Sequence, residues 1–122
     1  QRQARFAALT LASEADEAKA VRWEQQKADL EAAAESLYRA FLTLRTSAEV
    51  RQFLQDLCTP SEVEAMVDRW RTAALLREGH SYREISDITG VSVTTIGRVA
   101  RYLNMGEGGY RLALRREKVN KT

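Results

Sequence analysis

The sequence predicts an all-α fold: a helical extension followed by a multi-helix domain that carries a helix-turn-helix. Three observations predict it. The 122 residues hold one proline and six glycines, and Ala, Leu, Arg and Glu dominate, a composition that favours helices. Beta-branched residues are sparse outside 91–99, which argues against strands. Apolar residues recur at helical spacing behind a series of helix-start signals.

Residues 1 to about 35 contain no Gly or Pro and are rich in Ala, Glu and Lys, so they read as helix. Trp23, Leu30, Ala34, Leu37, Phe41 and Leu44 follow at spacings of 7, 4, 3, 4 and 3. That is a helical stripe, and from Leu30 onward it is a heptad seam. Lys27 interrupts it, and upstream Phe6, Leu9 and Leu11 are too sparse to extend it. Packing is the expected role, onto the rest of the chain or onto a second subunit. For residues 1–18 a partly disordered leader is the alternative reading.

The stretch TSAEVRQFLQDLC opens with a capping box, in which the Thr46 hydroxyl accepts the Glu49 N–H and the Glu49 carboxylate returns to the Thr46 N–H. TPSEVEAMVDRWRTAALLREG repeats the device. Thr59 is the cap, Pro60 takes the first helical position where its missing N–H costs nothing, and Glu62 closes the box. Val63, Met66, Val67, Trp70, Ala74 and Leu75 then line one expected face, and Gly79 ends the helix as a left-handed cap.

SYRE at 81–84 is a third box, Ser81 with Glu84. Ile85 and Ile88 give a buried side to a helix of about two turns. Gly90 suits a tight turn. Ser92 then caps another helix, with Val93, Ile96, Val99, Ala100 and Leu103 on its expected inner face. A short helix, a glycine turn and a second helix make a helix-turn-helix over about 81–103. The second helix of such a motif enters the DNA major groove N-terminus first. Thr94 and Thr95 are small and offer a methyl and a hydroxyl to base edges, and Gly97 keeps the next turn slim. Arg98 has the reach to fork onto guanine or hold a phosphate, and Arg101, further along, suits backbone. The expected DNA-facing set is Ser81, Tyr82, Arg83, Ser92, Val93, Thr94, Thr95, Gly97, Arg98 and Arg101. The amides at both helix starts are ready anion sites. An ordinary helical hairpin with Thr and Arg facing water is the competing reading.

Charge leans the same way. Residues 1–70 carry nine Lys/Arg against twelve Asp/Glu, and residues 71–122 carry ten against five. A basic C-terminal half suits an anionic partner, nucleic acid above all, although charge alone leaves an unevenly solvated surface open. One cysteine excludes an intrachain disulfide framework and fits a reducing, cytoplasmic compartment. No apolar run approaches the ~20 residues of a membrane span, so no membrane partner is expected. No signal peptide is visible, although a missing native start would hide one, and the start at Gln1 rather than Met is what an excised or processed chain is expected to show.

From Leu37 to Arg116 the sequence resembles the Trp-repressor-like superfamily, and most closely its YerC/YecD-type branch. The residues that carry the resemblance are LYRAFLTL, FLQDLCTPSEVEAMVDRWRTAALLREGHSYREI, TGVSVTTIGRVARYLN and GGYRLAL. It implies an intertwined homodimer whose paired heads read a palindromic double-stranded site, with half-sites about one DNA turn (~34 Å) apart. It also implies a place for a tryptophan co-repressor between two arginines, matched here by Arg69 and Arg98. The floor of that place is a glycine in the family's best-known member and Val99 here, and a ligand-binding serine is replaced by Tyr102. The added bulk predicts a blocked pocket and no response to tryptophan. The implied domains are an extension over 1–35, a DNA-binding domain over 36–118 and a tail over 119–122. SYREISDITGVSVTTIGRVAR also resembles the DNA-reading region of sigma factors, so an alternative is an interaction module that meets DNA only within a larger complex.

No catalytic residue, metal site or cofactor is expected. His80 is the single histidine and stands at a helix end, and Cys58 has no second Cys or His at ligand spacing. Trp23 and Trp70 read as core or interface, and the carboxylates at 14, 16, 17, 62 and 64 as caps or solvated faces. GEGG at 106–109 lacks the Lys-Ser/Thr of a phosphate loop. It reads as a break before a last helix from Tyr110 to about Lys118, with Tyr110, Ala113 and Leu114 inward and Arg111, Arg115 and Arg116 outward.

Overall fold

The computed structural model describes residues 2–120, with side chains from 13 to 117. Among these residues there are six α-helices and no strand: α1 Arg2–Leu42, α2 Ser47–Leu57, α3 Pro60–Arg77, α4 Tyr82–Thr89, α5 Val93–Met105 and α6 Gly109–Asn120. The chain divides into two compact units, 1–51 and 52–122.

The first unit is chiefly α1, 41 residues without a helix breaker, or about 60 Å of helix. Side chains 13–33 are all exposed, and burial begins with Ala34, Leu37, Ala40 and Phe41. Phe6, Leu9 and Leu11 lie outside the described side chains. The last turn tightens: the Thr43 N–H and hydroxyl both donate to the Ala40 carbonyl, and the Leu44 N–H donates to that of Phe41. Leu44 therefore leaves the seam and belongs to the turn. At the start of α2 the Thr46 hydroxyl accepts the Glu49 N–H as expected. The Glu49 carboxylate, however, accepts from the N–H of Arg45, 3.0 Å away, and not from that of Thr46. The carboxylate thus pairs with the amide four residues back instead of three.

In the second unit α3 packs against α4, α5 and α6, and α5 packs against α4 and α6. Two apolar clusters form its core. One is Ala73, Val99 and Leu114, flanked by Trp70, Ala74, Leu76, Leu103 and Tyr110. The other is Ile85, Val91 and Ile96 beneath Leu75 and Leu76, so Leu76 joins the two. Both capping boxes form in full: Thr59 with Glu62 and Ser81 with Glu84. Gly79 has φ 92, the His80 N–H donates to Leu75 and the Gly79 N–H to Leu76. This pair of bonds closes α3 in a Schellman arrangement.

Several inward positions differ from expectation. The fully buried residues of α3 are Thr72 and Ala73, while Val67 is half exposed. Three helices converge on α3, which shifts its buried face round. Thr72 is satisfied there because its hydroxyl donates to the Asp68 carbonyl at 2.7 Å. Ile88 is exposed, and the buried residue of α4 is Ile85. Val93 sits in the first turn of α5, outside the packed zone, and is exposed. Ala113 is exposed and Leu114 buried, so α6 rests on one row of side chains.

Candidate nucleic-acid interface

The candidate interface comprises α4, α5 and the turn between them. Gly90 ends α4 with φ 74 and ψ 3, a conformation that costs a residue with a Cβ about 1–2 kcal/mol. Thr89 fastens the turn: its hydroxyl donates to the Ile85 carbonyl at 2.7 Å and accepts the Val91 N–H at 3.1 Å. Val91 is then buried between the two helices. Ser92 caps α5 by accepting the Thr95 N–H at 3.2 Å, and its hydroxyl donates to that of Thr95 at 3.1 Å.

These contacts fix which face of α5 is presented. Ile96, Val99 and Ala100 are buried. Thr94, Arg98, Arg101 and Tyr102 are exposed and fall at helical spacing along the opposite face. Ser92 and Val93 are exposed at the helix start, as are Ser81, Tyr82 and Arg83 at the start of α4. Two residues of the expected set are less available. Thr95 is half-buried and already accepts from Ser92. Gly97 is half-buried, and a Cβ there would lie 3.9 Å from the Tyr82 ring. Gly97 thus gives room to Tyr82 as much as to an outside partner.

The two helix starts differ electrostatically. At α4 the Glu84 carboxylate accepts the Ser81 N–H at 3.2 Å, and its second oxygen lies 3.3 Å from Nδ1 of His80. The backbone bond from Ser81 first, then the Ser81 and His80 side chains, hold the Glu84 carboxyl below its ordinary pKa. A negative group already occupies that end. The first turn of α5 carries no acidic residue, so the amides not taken up by the Ser92 cap, and the positive end of the helix dipole, face no carboxylate there. His80 is half-buried, with Nε2 3.5 Å from Glu78, which makes it a neighbour of the cap.

The residues expected to line a ligand pocket differ in exposure. Val99 is 1% exposed within the core cluster of Ala73 and Leu114. Arg69 is half-buried on α3 and Arg98 exposed on α5. The guanidinium of Arg98 lies over the Tyr102 ring, 5.3 Å from its centroid. The spacing of four residues on a helix brings the two side chains together, a pairing that the apolar pattern does not mark. Among the described residues no group of His, Cys, Asp and Glu is arranged to hold a metal, and no helix is long and apolar enough to cross a membrane.

The model of the Trp repressor protein family matches residues 32–118. The chain belongs to the Trp repressor family. Within it the chain falls on the YerC-like branch: it is 40% identical over 88 residues to YerC of Bacillus subtilis, named an uncharacterized protein, covering 72% of this chain and 85% of YerC. Two solved structures share the fold. A TrpR-like protein from Eubacterium eligens is 38% identical, with a TM-score of 0.68 over 70% of this chain and 89% of its own. A chain described as a candidate Trp repressor from Staphylococcus aureus is 37% identical, with a TM-score of 0.69 over 71% and 87%. The family is one of DNA-binding regulators and not of enzymes. Residues 1–31 lie outside the family match.

Proposed function

We propose that this protein is a sequence-specific, double-stranded-DNA-binding regulator of transcription. It acts as a homodimer that reads a two-fold-symmetric site with one α5 in each of two major grooves. The observation that carries the reading is the exposed row Thr94, Arg98 and Arg101 on α5, behind a helix start with no acidic residue in its first turn. Thr94 and Val93 meet thymine methyls or base edges, Arg98 a guanine, and Arg101 a phosphate. Ser81, Tyr82 and Arg83 flank the groove from α4, and Ser92, Thr95 and Gly97 shape the approach of α5. Arg111, Arg115 and Arg116 on α6 are exposed and suit further phosphate contacts.

Tryptophan is not the effector on this reading. A side chain packed as tightly as that of Val99, with Tyr102 beside Arg98, leaves no seat for an indole between Arg69 and Arg98. No cofactor is needed for the binding described.

Selection of bound sequences from a random duplex pool tests the proposal. The expected product is a palindrome with half-site centres one helical turn apart, bound with an affinity that falls steeply with salt. Arg98→Ala should cost about 1–3 kcal/mol and relax preference at one base pair per half-site, whereas Arg111→Ala should weaken all sites alike. Recovery of no enriched sequence, together with salt-insensitive binding, would overturn it.

A further inference from the structure

The contact between Arg98 and Tyr102 does more than cover a ring. An arginine projecting from a helix samples many rotamers, and ordering it at a base edge costs side-chain entropy. A carboxylate neighbour would restrain it but would spend its donors and cancel its charge. An aromatic face engages the flat side of the guanidinium and leaves the N–H edge unspent. Tyr102 offers that face 5.3 Å from the guanidinium carbon, and the carboxylates of Glu78 and Glu84 pair with His80.

Tyr102 stands near the end of α5 and is half exposed. Its backbone carbonyl accepts the Gly106 N–H at 2.9 Å, which ends α5. Tyr102 also shares the wall of a hollow of about 470 Å³ with Trp70, Tyr110 and the glycine turn. Thr94 lies one turn before Arg98 on the same exposed face, so ring, guanidinium and threonine run in line toward the helix start.

We propose that Tyr102 is a positioning residue for Arg98 and, through it, a determinant of specificity. It holds the guanidinium against its ring with the donor edge outward, so that Arg98 meets its base already oriented. Tyr102 itself touches no base. The inference rests on the DNA-binding reading above.

The test is a double-mutant cycle on the duplex recovered by selection, with a second duplex altered at the Arg98 base pair, at fixed salt. Tyr102→Leu is expected to weaken binding to the selected duplex by about two- to fivefold, the range of an exposed cation–π contact, and binding to the altered duplex less. Tyr102→Phe restores wild-type behaviour, and in an Arg98→Ala background Tyr102→Leu has no further effect. Equal affinity of Tyr102→Leu and wild type overturns the proposal. So does a loss that persists without Arg98, or a Phe variant as weak as the Leu variant. A DNA-free measurement separates the two layers: the ring current of Tyr102 shifts the Arg98 Hδ protons upfield in wild type and Tyr102→Phe, and not in Tyr102→Leu. If wild type shows that shift yet binds no duplex, the DNA reading falls and Tyr102's part in readout falls with it. If the shift is absent, the stacking is wrong while the DNA reading stands.

Discussion

Three glycines of the second unit have different physical reasons, and substitution separates them. Gly90 stands at φ 74, so Gly90→Ala should destabilise the fold by about 1–2 kcal/mol in urea unfolding although nothing crowds its Cβ. Gly106 has ordinary dihedrals, but an added Cβ would collide with the Tyr102 carbonyl. Gly97 is an interior helical residue with space for a methyl beside Tyr82. Gly97→Ala should therefore stabilise by about 0.5–1 kcal/mol, the helix-propensity difference. A lower unfolding midpoint for Gly97→Ala would show that Tyr82 cannot give way. If the outer side of position 97 meets a base edge, the same methyl lowers DNA affinity in a protein that is more stable, a combination a merely structural glycine does not produce.

At the scale of elements, the caps decide where helices begin. Ser81→Ala should cost about 1 kcal/mol, and because α4 has only eight residues the loss should appear as faster amide exchange across α4 before global unfolding. The same boxes make stability depend on pH. Glu62 and Glu84 are held below their ordinary value of 4.5, first by the backbone bonds to Thr59 and Ser81. A carboxylate depressed in the folded state contributes stability that is fully present above its unfolded pKa. It is lost as pH falls through the lower, folded value. Urea midpoints should therefore decline as pH drops below 4.5, and Glu84→Gln, which can still accept the Ser81 bond, should flatten the decline. A decline of unchanged steepness in that variant would assign the acid sensitivity to other groups.

These boundaries were legible because capping is local: Thr59, Pro60 and Glu62, or Ser81 and Glu84, carry their partners within three residues. The helix-turn-helix was legible for the same reason, through Gly90 and Ser92. Facing directions were less so. Val67, Ile88, Val93 and Ala113 are apolar at helical spacing, yet each is exposed, because the choice among adjacent rows is made by the helices packed alongside and not by periodicity. The exposed side of α5 followed from its buried side, except at Thr95 and Gly97. There a cap bond and a neighbouring ring, invisible to periodicity, reduce what the helix offers.

For the whole molecule, the exposed apolar side chains call for a partner surface. In the single chain Leu30 is 70% exposed and Trp23 58%, on the stripe that continues through the half-buried Ala34 and Leu37. Lys27 stacks on Trp23 at 5.3 Å, which keeps the interrupted position compatible with a helical face. An isolated helix of polar character gains little from propensity alone. The proposed dimer gives the stripe a partner, since the seam spacing is the one that two helices share. Burying a leucine side chain is worth about 1.5–3 kcal/mol, so Leu30→Ala should weaken dimerisation roughly tenfold or more. Alanine preserves helix propensity, and the lost side chain is mostly exposed, so circular dichroism of the dilute monomer should not change. Sedimentation equilibrium of the two proteins decides it. An equal dissociation constant would take Leu30 out of the interface and confine the seam to the family-matched part of α1, from Ala34 onward. A weaker dimer with unchanged half-site spacing on DNA would mean that residues outside the family match set how tightly the two heads are joined, and that the heads alone set what they read.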